Sequence, residues 1–294
     1  MSDGAAALGR LRGLTEVALE TLDFGEPADV APLAEAMRYS LLAGGKRVRP
    51  VLCLAVAEGF GCAADDAIPT ALALELVHTF SLVHDDLPAL DDDDLRRGRP
   101  TAHVRFGEDI AVLAGDALLN HAFALVCDRQ GGSDAQRVAA VRELVAAVGL
   151  PGMIGGQYRD VRPDDALDAA GLERTSRLKT GALLGASAAC GAIVAGAGAD
   201  GVTTARAFGT ELGLLFQIVD DVLDETGSDE ELGKSAGTDA RRGRRTFASE
   251  LGLAGARARA DESERAARAL LARLPERSHE PLGALVELVA TRDR

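Results

Sequence analysis

The chain has 294 residues, of which 47% are apolar and only 3% aromatic, and it contains no tryptophan. Strong helix formers are common and β-branched residues sparse, so we expect an all-α protein with an aliphatic core. The formal net charge is −14, which argues against a nucleic-acid partner because such binding needs a basic surface.

Apolar residues recur at helical spacing in long runs, and each run predicts a helix. In one run Leu72, Leu76 and Phe80 lie near this spacing, and Pro88 ends it because proline lacks an amide hydrogen. No repeat or long linker divides the chain, so we expect one all-α domain of about ten helices over residues 1–294. In chain order the predicted helical ranges are 33–42, 70–86, 110–127, 138–148, 167–184 with the Ala/Gly-rich run behind it, 203–226 and 247–289, with a loop over 225–243.

Residues 181–198 form an uncharged stretch of 18 residues, close to the length that spans a bilayer. Most of these residues are Gly, Ala or Ser, and small residues let helices approach one another closely. The stretch therefore predicts a buried central helix, and we expect no membrane insertion.

The cysteines predict neither a disulfide framework nor a zinc site. They form no C-x-x-C pair and have no histidines at matching spacing. The N-terminus also lacks a basic segment followed by an apolar one, so we expect no signal peptide and a cytoplasmic location. The four cysteines are Cys53, Cys62, Cys127 and Cys190.

Two acidic clusters each follow an apolar helical run. The first lies within residues 85–94, and the second reads Asp220-Asp221-Val222-Leu223-Asp224. Asp220 and Asp224 are four residues apart and share one helical face. Carboxylates this close repel one another unless a cation neutralises them, and EF-hand spacing for calcium is missing. Because Mg²⁺ prefers a few carboxylates together with water and phosphate oxygens, the clusters predict Mg²⁺ and a phosphorylated substrate.

Basic residues lie close to the acidic clusters in sequence or in the same predicted helical region. Lysine and arginine supply the charges and bidentate donors that diphosphate oxygens need. The glycine-rich turn before Lys46 is not a P-loop, since the G-x-x-x-x-G-K-[ST] spacing is missing. The basic residues of this set are Lys46, Arg47, Arg49, Arg96, Arg97, Arg99, Lys179 and Lys234.

These motifs, in this order, resemble the trans-isoprenyl diphosphate synthases, particularly the bacterial-type farnesyl diphosphate synthases. The resemblance runs from about residue 36 to at least residue 251. The motifs that carry it are Gly45-Lys46-Arg47-Val48-Arg49-Pro50, Asp85-Asp86-x4-Asp91 with Arg96-Arg97, Gly152-Met153-x2-Gly156-Gln157-x2-Asp160, Lys179-Thr180-Gly181, Phe216-Gln217-x2-Asp220-Asp221-x2-Asp224 and Leu232-Gly233-Lys234.

The resemblance implies a helical bundle around a central active-site cavity, a homodimer, and three Mg²⁺ ions, replaceable by Mn²⁺, that clamp the allylic diphosphate. The implied Mg²⁺ ligands are Asp85, Asp91 and Asp220, joined by Asp86, Asp221 and Asp224 as further ligands or as residues that support them. The implied catalytic residues are Lys179, Lys234, Asp85, Asp91 and Asp220. The implied substrate-binding residues are Arg96, Lys179 and Lys234 for the allylic diphosphate, Lys46, Arg49, His78 and Arg97 for isopentenyl diphosphate, and Thr180 and Gln217 along the site.

The implied reaction is ionisation of the allylic C–O bond, attack by the isopentenyl double bond, and loss of a proton. The chain departs from the family at Gly243-Arg244-Arg245-Thr246-Phe247, where many relatives have Gly-Lys-x-Thr-Tyr. The planar guanidinium group of arginine binds oxygen atoms in a different geometry from the ammonium group of lysine, so the role of Arg244 stays open.

Phe80 lies five positions before Asp85, about 7.5 Å along a helix axis. In the family an aromatic residue here accompanies short products, so we expect farnesyl diphosphate from dimethylallyl and geranyl starters. Geranylgeranyl or geranyl diphosphate is the alternative product, and simple core packing is the alternative role for Phe80. A non-catalytic isoprenoid-binding subunit of the same fold is the alternative from another functional class.

Overall fold

The computed structural model describes residues 3–25, 27–162, 168–226 and 244–291. Thirteen α-helices supply nearly all regular structure in these ranges, which confirms the predicted all-α class. In chain order they are α1 (Asp3–Glu20), α2 (Ala31–Leu41), α3 (Val48–Gly59), α4 (Ala64–Asp85), α5 (Ala102–Phe106), α6 (Glu108–Ala124), α7 (Asp134–Val148), α8 (Met153–Val161), α9 (Ala169–Ser176), α10 (Ala182–Val194), α11 (Ala199–Thr226), α12 (Phe247–Leu271) and α13 (His279–Ala290).

Three shorter features join these helices near their ends. Helix α6 continues into a π-helical turn, Leu125–Arg129, and α9 reaches α10 through a second one, Arg177–Gly181. Between α4 and α5, strands β1 (Leu95–Arg96) and β2 (Arg99–Pro100) form an antiparallel hairpin. The second π-turn and the hairpin carry Lys179 and Arg96, so both irregular elements present cations that the sequence singled out.

The helical predictions differ from the structure at several ends. Helices α1, α3, α5 and α8 were not predicted, and α4 begins at Ala64 rather than at residue 70. The run over 247–289 is two helices, separated by a break that contains Pro275. The predicted loop over 225–243 lies outside the described residues from residue 227 onward.

Helix α10 forms the centre of the bundle. Every residue from Leu183 to Val194 is buried, and the helix packs against α3, α7 and α11. A Cβ on Gly209 would lie 2.3 Å from the Leu184 carbonyl oxygen, and one on Gly213 would lie 2.6 Å from the Gly181 Cα. The small residues therefore allow backbone contact between α10 and α11, which agrees with the prediction of a buried central helix.

By length and composition alone, three helical stretches are apolar enough to cross a bilayer. They are Ala64–Asp85, Glu108–Arg129 and Asp134–Val161, and 67%, 39% and 33% respectively of the apolar 18-residue window in each is buried inside the protein. The stretch over 181–198 is not among them. The expectation that the chain does not insert into a membrane stays a prediction.

Candidate active site

The loop after α4 folds back on the end of that helix. The backbone N–H of Asp91 donates to the Asp85 carbonyl at 2.8 Å, and that of Asp93 donates to the Asp86 carbonyl at 3.2 Å. Asp92 between them has a φ of 53° and is exposed. The fold therefore brings Asp85 and Asp91 together although Pro88 separates them.

Asp85 is a poorly solvated carboxyl group. Burial raises the pKa of Asp85 to about 6, and Asp91 adds to the rise while Lys179 and Arg96 oppose it. Gln157 of α8 donates from Nε2 to Asp85 Oδ1 at 2.7 Å. The carboxylate therefore lies where an additional cation would stabilise its charged form.

Asp86, the next residue, is paired with the hairpin. It is 3% exposed and accepts from Arg96 Nε at 2.7 Å and 2.9 Å. Asp86 and Arg96 were predicted as a metal ligand and an allylic diphosphate ligand. Here the two side chains neutralise each other and hold β1 against the end of α4.

Three cationic and acidic side chains meet opposite Asp85. Lys179 Nζ lies 2.6 Å from Asp160 Oδ2, and Arg244 Nε lies 3.6 Å from the same oxygen. Arg244 also donates from Nη2 to Asp91 Oδ1. The structure therefore places Arg244 in the site, where it connects the first acidic cluster to Lys179 through Asp160.

The second acidic cluster ends α11 and holds the start of α12. Asp221 is 5% exposed and accepts from Gln217 Nε2 at 2.8 Å and from the backbone N–H of Phe247 at 2.9 Å. Thr180 Oγ1 donates to Gln217 Oε1 at 2.9 Å. Asp220 remains partly exposed, whereas Asp224 is buried. Among these aspartates, Asp220 therefore presents its side chain most openly.

The predicted Mg²⁺ ligands fit the metal by chemistry. Within the described ranges no three His, Cys, Asp or Glu side chains converge into a metal cluster on their own. All six predicted ligands offer carboxylate oxygens, and Mg²⁺ uses one or two carboxylates together with waters and substrate phosphates rather than a full protein cage. The raised pKa of Asp85 indicates a carboxylate whose charge lacks compensation. The donor set therefore suits Mg²⁺ bound jointly with a diphosphate.

A second cationic region forms around the glycine turn before α3. Arg97 reaches across and donates from Nη1 to the Gly44 carbonyl. Gly45 has a φ of 133°, and a Cβ there would lie 2.7 Å from Arg97 Nη1. Burial, with the nearby Arg97, lowers the pKa of Arg49 to about 10, and in the described structure the buried Nε of Arg49 has no hydrogen-bond partner. This region therefore has unused capacity for an anion.

The three cations of the Lys46–Arg49 turn face different surroundings. Arg47 has a φ of 49° and a side chain that is 1% exposed, and its Nη1 lies 2.6 Å from Glu75 Oε1. Arg47 therefore points into the core, away from the site, while Lys46 is exposed and Arg49 faces His78. Lys234 lies outside the described residues.

His78 is neutral in this environment. Burial lowers its pKa well below the ordinary value of 6.5, and Arg49 and Arg97 lower it further. Just below pH 6.5 the unfolded chain therefore binds a proton at His78, whereas the folded chain does not. We expect the free energy of unfolding to fall as the pH drops through 6.5.

Chemical denaturation of the wild type and of His78→Gln between pH 7.5 and pH 5.5 measures this effect. The wild type should lose more stability than the variant over that interval, since the variant lacks the titrating group. Parallel curves for the two proteins would contradict the assignment.

The sequence alone assigns no role to Gln157, Asp160 or Arg244. All three lie in the site and contact predicted residues. For Gln157 and Asp160 the signal in the sequence was the motif Gly156-Gln157-x2-Asp160, whose i and i+3 spacing places the two polar side chains on one helical face. For Arg244 it was the segment Gly243-Arg244-Arg245-Thr246-Phe247.

The fold and site together define a helical bundle in which the first aspartate cluster lies beside Arg96, Lys179 and Arg244, and the second ends α11. A sequence model described as Polyprenyl synthetase matches residues 30–282, and the chain belongs to this family.

The chain is 47% identical over 263 residues to a chloroplastic geranylgeranyl pyrophosphate synthase of Catharanthus roseus, covering 88% of this chain and 73% of the relative. It is 43% identical over 264 residues to the farnesyl diphosphate synthase of Bacillus subtilis, covering 89% of each. A crystal structure of a geranyltransferase from Helicobacter pylori, complexed with magnesium and isoprenyl diphosphate, matches with a TM-score of 0.85 and 31% identity over 98% of both chains.

Proposed function

We propose that the protein is an Mg²⁺-dependent prenyl transferase that condenses isopentenyl diphosphate with dimethylallyl or geranyl diphosphate to give farnesyl diphosphate. One observation carries the proposal: Asp85 and Asp91 lie beside Lys179 and Arg244, which are joined through Asp160. Neutralising a diphosphate needs cations on several sides, and this arrangement supplies them from separate elements. The magnesium and isoprenyl diphosphate bound to the related Helicobacter pylori enzyme support the same chemistry.

Different residues bind the allylic diphosphate and isopentenyl diphosphate. Lys179 and Arg244 stabilise the negative charge that develops as the allylic C–O bond breaks. Asp85, Asp91 and Asp220 would hold Mg²⁺, which supplies further charge stabilisation at the leaving diphosphate when it is bound.

Isopentenyl diphosphate lies in the second cationic region, against Arg49 and Arg97. Its double bond attacks the allylic carbon, a C–C bond forms, and the adjacent C–H proton passes to the released diphosphate. The neutral state of His78 leaves one ring nitrogen able to donate and the other able to accept a hydrogen bond.

The direct test is an assay of purified protein with Mg²⁺, isopentenyl diphosphate and either dimethylallyl or geranyl diphosphate. We expect farnesyl diphosphate as the main product and no turnover after chelation of the metal. No condensation with any allylic partner would overturn the proposal and favour the non-catalytic isoprenoid-binding alternative.

Product length is the finer part of the proposal, with geranylgeranyl diphosphate as the alternative. Relatives of both names are more than 40% identical to this chain over the aligned residues. Phe80 is 7% exposed, and its ring meets the His84 ring edge-on at 5.2 Å. His84 Nε2 lies 3.0 Å from the Val112 carbonyl oxygen of α6. Phe80 is therefore buried and packs against His84, which contacts α6, and a residue that limits chain growth needs such a fixed position.

We expect Phe80→Ala to shift the product from farnesyl towards geranylgeranyl diphosphate, because the smaller side chain leaves space for one more isoprene unit. Leu72→Ala is the matched control, since Leu72 is a buried residue of the same helix, 4% exposed, and lies about 20 Å from Asp85 along the axis. Chromatography of the extracted alcohols measures the products. An unchanged distribution in Phe80→Ala would leave Phe80 as a core residue only.

We further propose a cytoplasmic homodimer. Helix α6 presents Val112 and Leu113 at 41% and 51% exposure, apolar surface of the kind that subunit contacts cover. Sedimentation of the wild type should give twice the chain mass, and Leu113→Glu should shift it towards the monomer.

A further inference from the structure

Helix α8 lies directly against the π-turn that carries Lys179. A Cβ on Gly156 would lie 2.2 Å from the Lys179 backbone nitrogen and 2.6 Å from its Cα. Only glycine therefore permits this approach. The contact brings the polar face of α8, with Gln157 and Asp160, up to the site.

Both polar residues of this face hold residues of the proposed diphosphate clamp. Gln157 donates to Asp85 at 2.7 Å, and Asp160 lies 2.6 Å from Lys179 Nζ and 3.6 Å from Arg244 Nε. The side chains of Asp160, Lys179 and Arg244 are 22%, 26% and 17% exposed. One carboxylate is thus shared by two cations that come from different parts of the chain.

We propose that α8 is the positioning element of the clamp, and that Asp160 orients Lys179 and Arg244 towards the bound diphosphate. The inference rests on the proposed function and names residues to which that function gave no role. A free lysine side chain loses considerable rotamer freedom when it binds a ligand. Two like charges also repel each other at close range. A carboxylate between them offsets the repulsion and fixes both side chains before the ligand arrives.

Binding of inorganic diphosphate in the presence of Mg²⁺, measured by titration calorimetry, tests this role without turnover. We expect Asp160→Ala and Asp160→Asn to weaken binding roughly 10- to 100-fold, as loss of a supporting residue does in metal sites. Tyr158→Ala is the control on the same helix, since Tyr158 is 70% exposed, and it should bind like the wild type. Melting temperatures close to that of the wild type establish that each variant is folded.

A double variant separates positioning from direct contact. Because Asp160 acts in part through Lys179, Asp160→Ala should weaken diphosphate binding less in a Lys179→Met background than in the wild type. In steady-state kinetics Asp160→Asn should raise KM for the allylic diphosphate and leave KM for isopentenyl diphosphate within about twofold.

Affinity of Asp160→Ala within about twofold of the wild type, or tighter than the wild type, would overturn the inference. Tighter binding would mean that Asp160 competes with diphosphate for the two cations. Additive losses in the double variant would also overturn it. If the wild type binds diphosphate but condenses no substrates, the proposed function is wrong and this inference is unaffected. If the wild type binds no diphosphate, both are wrong.

Discussion

Replacing Asp91 by asparagine is expected to lower kcat by about 10³-fold, because a metal-held leaving group gains several kcal/mol of charge stabilisation and each 1.36 kcal/mol changes the rate tenfold. Asp91 lies beside Asp85 through a backbone hydrogen bond of 2.8 Å, and its carboxylate contacts Arg244. Asparagine keeps the shape of the side chain and removes its charge. The loss should therefore reflect electrostatics rather than packing.

The neighbouring aspartate is the matched control. Asp92 is exposed and has a φ of 53°, a conformation that asparagine tolerates as well as aspartate does. Asp92→Asn should keep kcat within about twofold of the wild type, as surface changes away from such features do. Steady-state assays with geranyl and isopentenyl diphosphates compare the two variants. Equal losses in both would mean that the acidic loop acts only through its total charge.

The second large effect concerns stability. Replacing Glu75 by alanine is expected to lower the free energy of unfolding by about 3 kcal/mol, the low end of the range for breaking a buried ion pair. The Arg47 and Glu75 side chains are 1% and 3% exposed. Burial alone lowers the pKa of Arg47, but Glu75 and Glu16 outweigh it and raise the pKa. Glu16 lies 3.0 Å from Arg47 and remains as a partial partner in the variant.

An ion pair at the protein surface serves as the control for Arg47 and Glu75. Arg10 and Glu58 also approach to 2.6 Å, but their side chains are 51% and 32% exposed. Glu58→Ala should therefore cost less than about 1 kcal/mol. Urea denaturation of both variants measures the contrast. Similar losses of stability in the two variants would contradict the assignment of Arg47 and Glu75 as a buried ion pair whose arginine lacks full compensation in Glu75→Ala.

Patterns that depend on residues close in sequence were predicted well. The helical runs that became α2, α4, α6, α7 and α11 follow from apolar spacing, which is a local property. Helix α3 was missed because almost all of its residues are buried, so it has no polar face and no amphipathic period. Helix α1 has its apolar residues spread among small ones, and tertiary packing against α13, α3 and α4 stabilises it.

By itself the sequence determined that the protein is helical, that two aspartate motifs end apolar helices, and which cations accompany them. Only the tertiary structure decided that Arg47 turns into the core while Arg49 faces the site, and that Asp160 joins Lys179 to Arg244. The physical reason is the range of the interactions involved. Spacing within a helix sets which side chains share a face, whereas residues far apart in the chain meet only when close helix packing, here at Gly156, brings their backbones together.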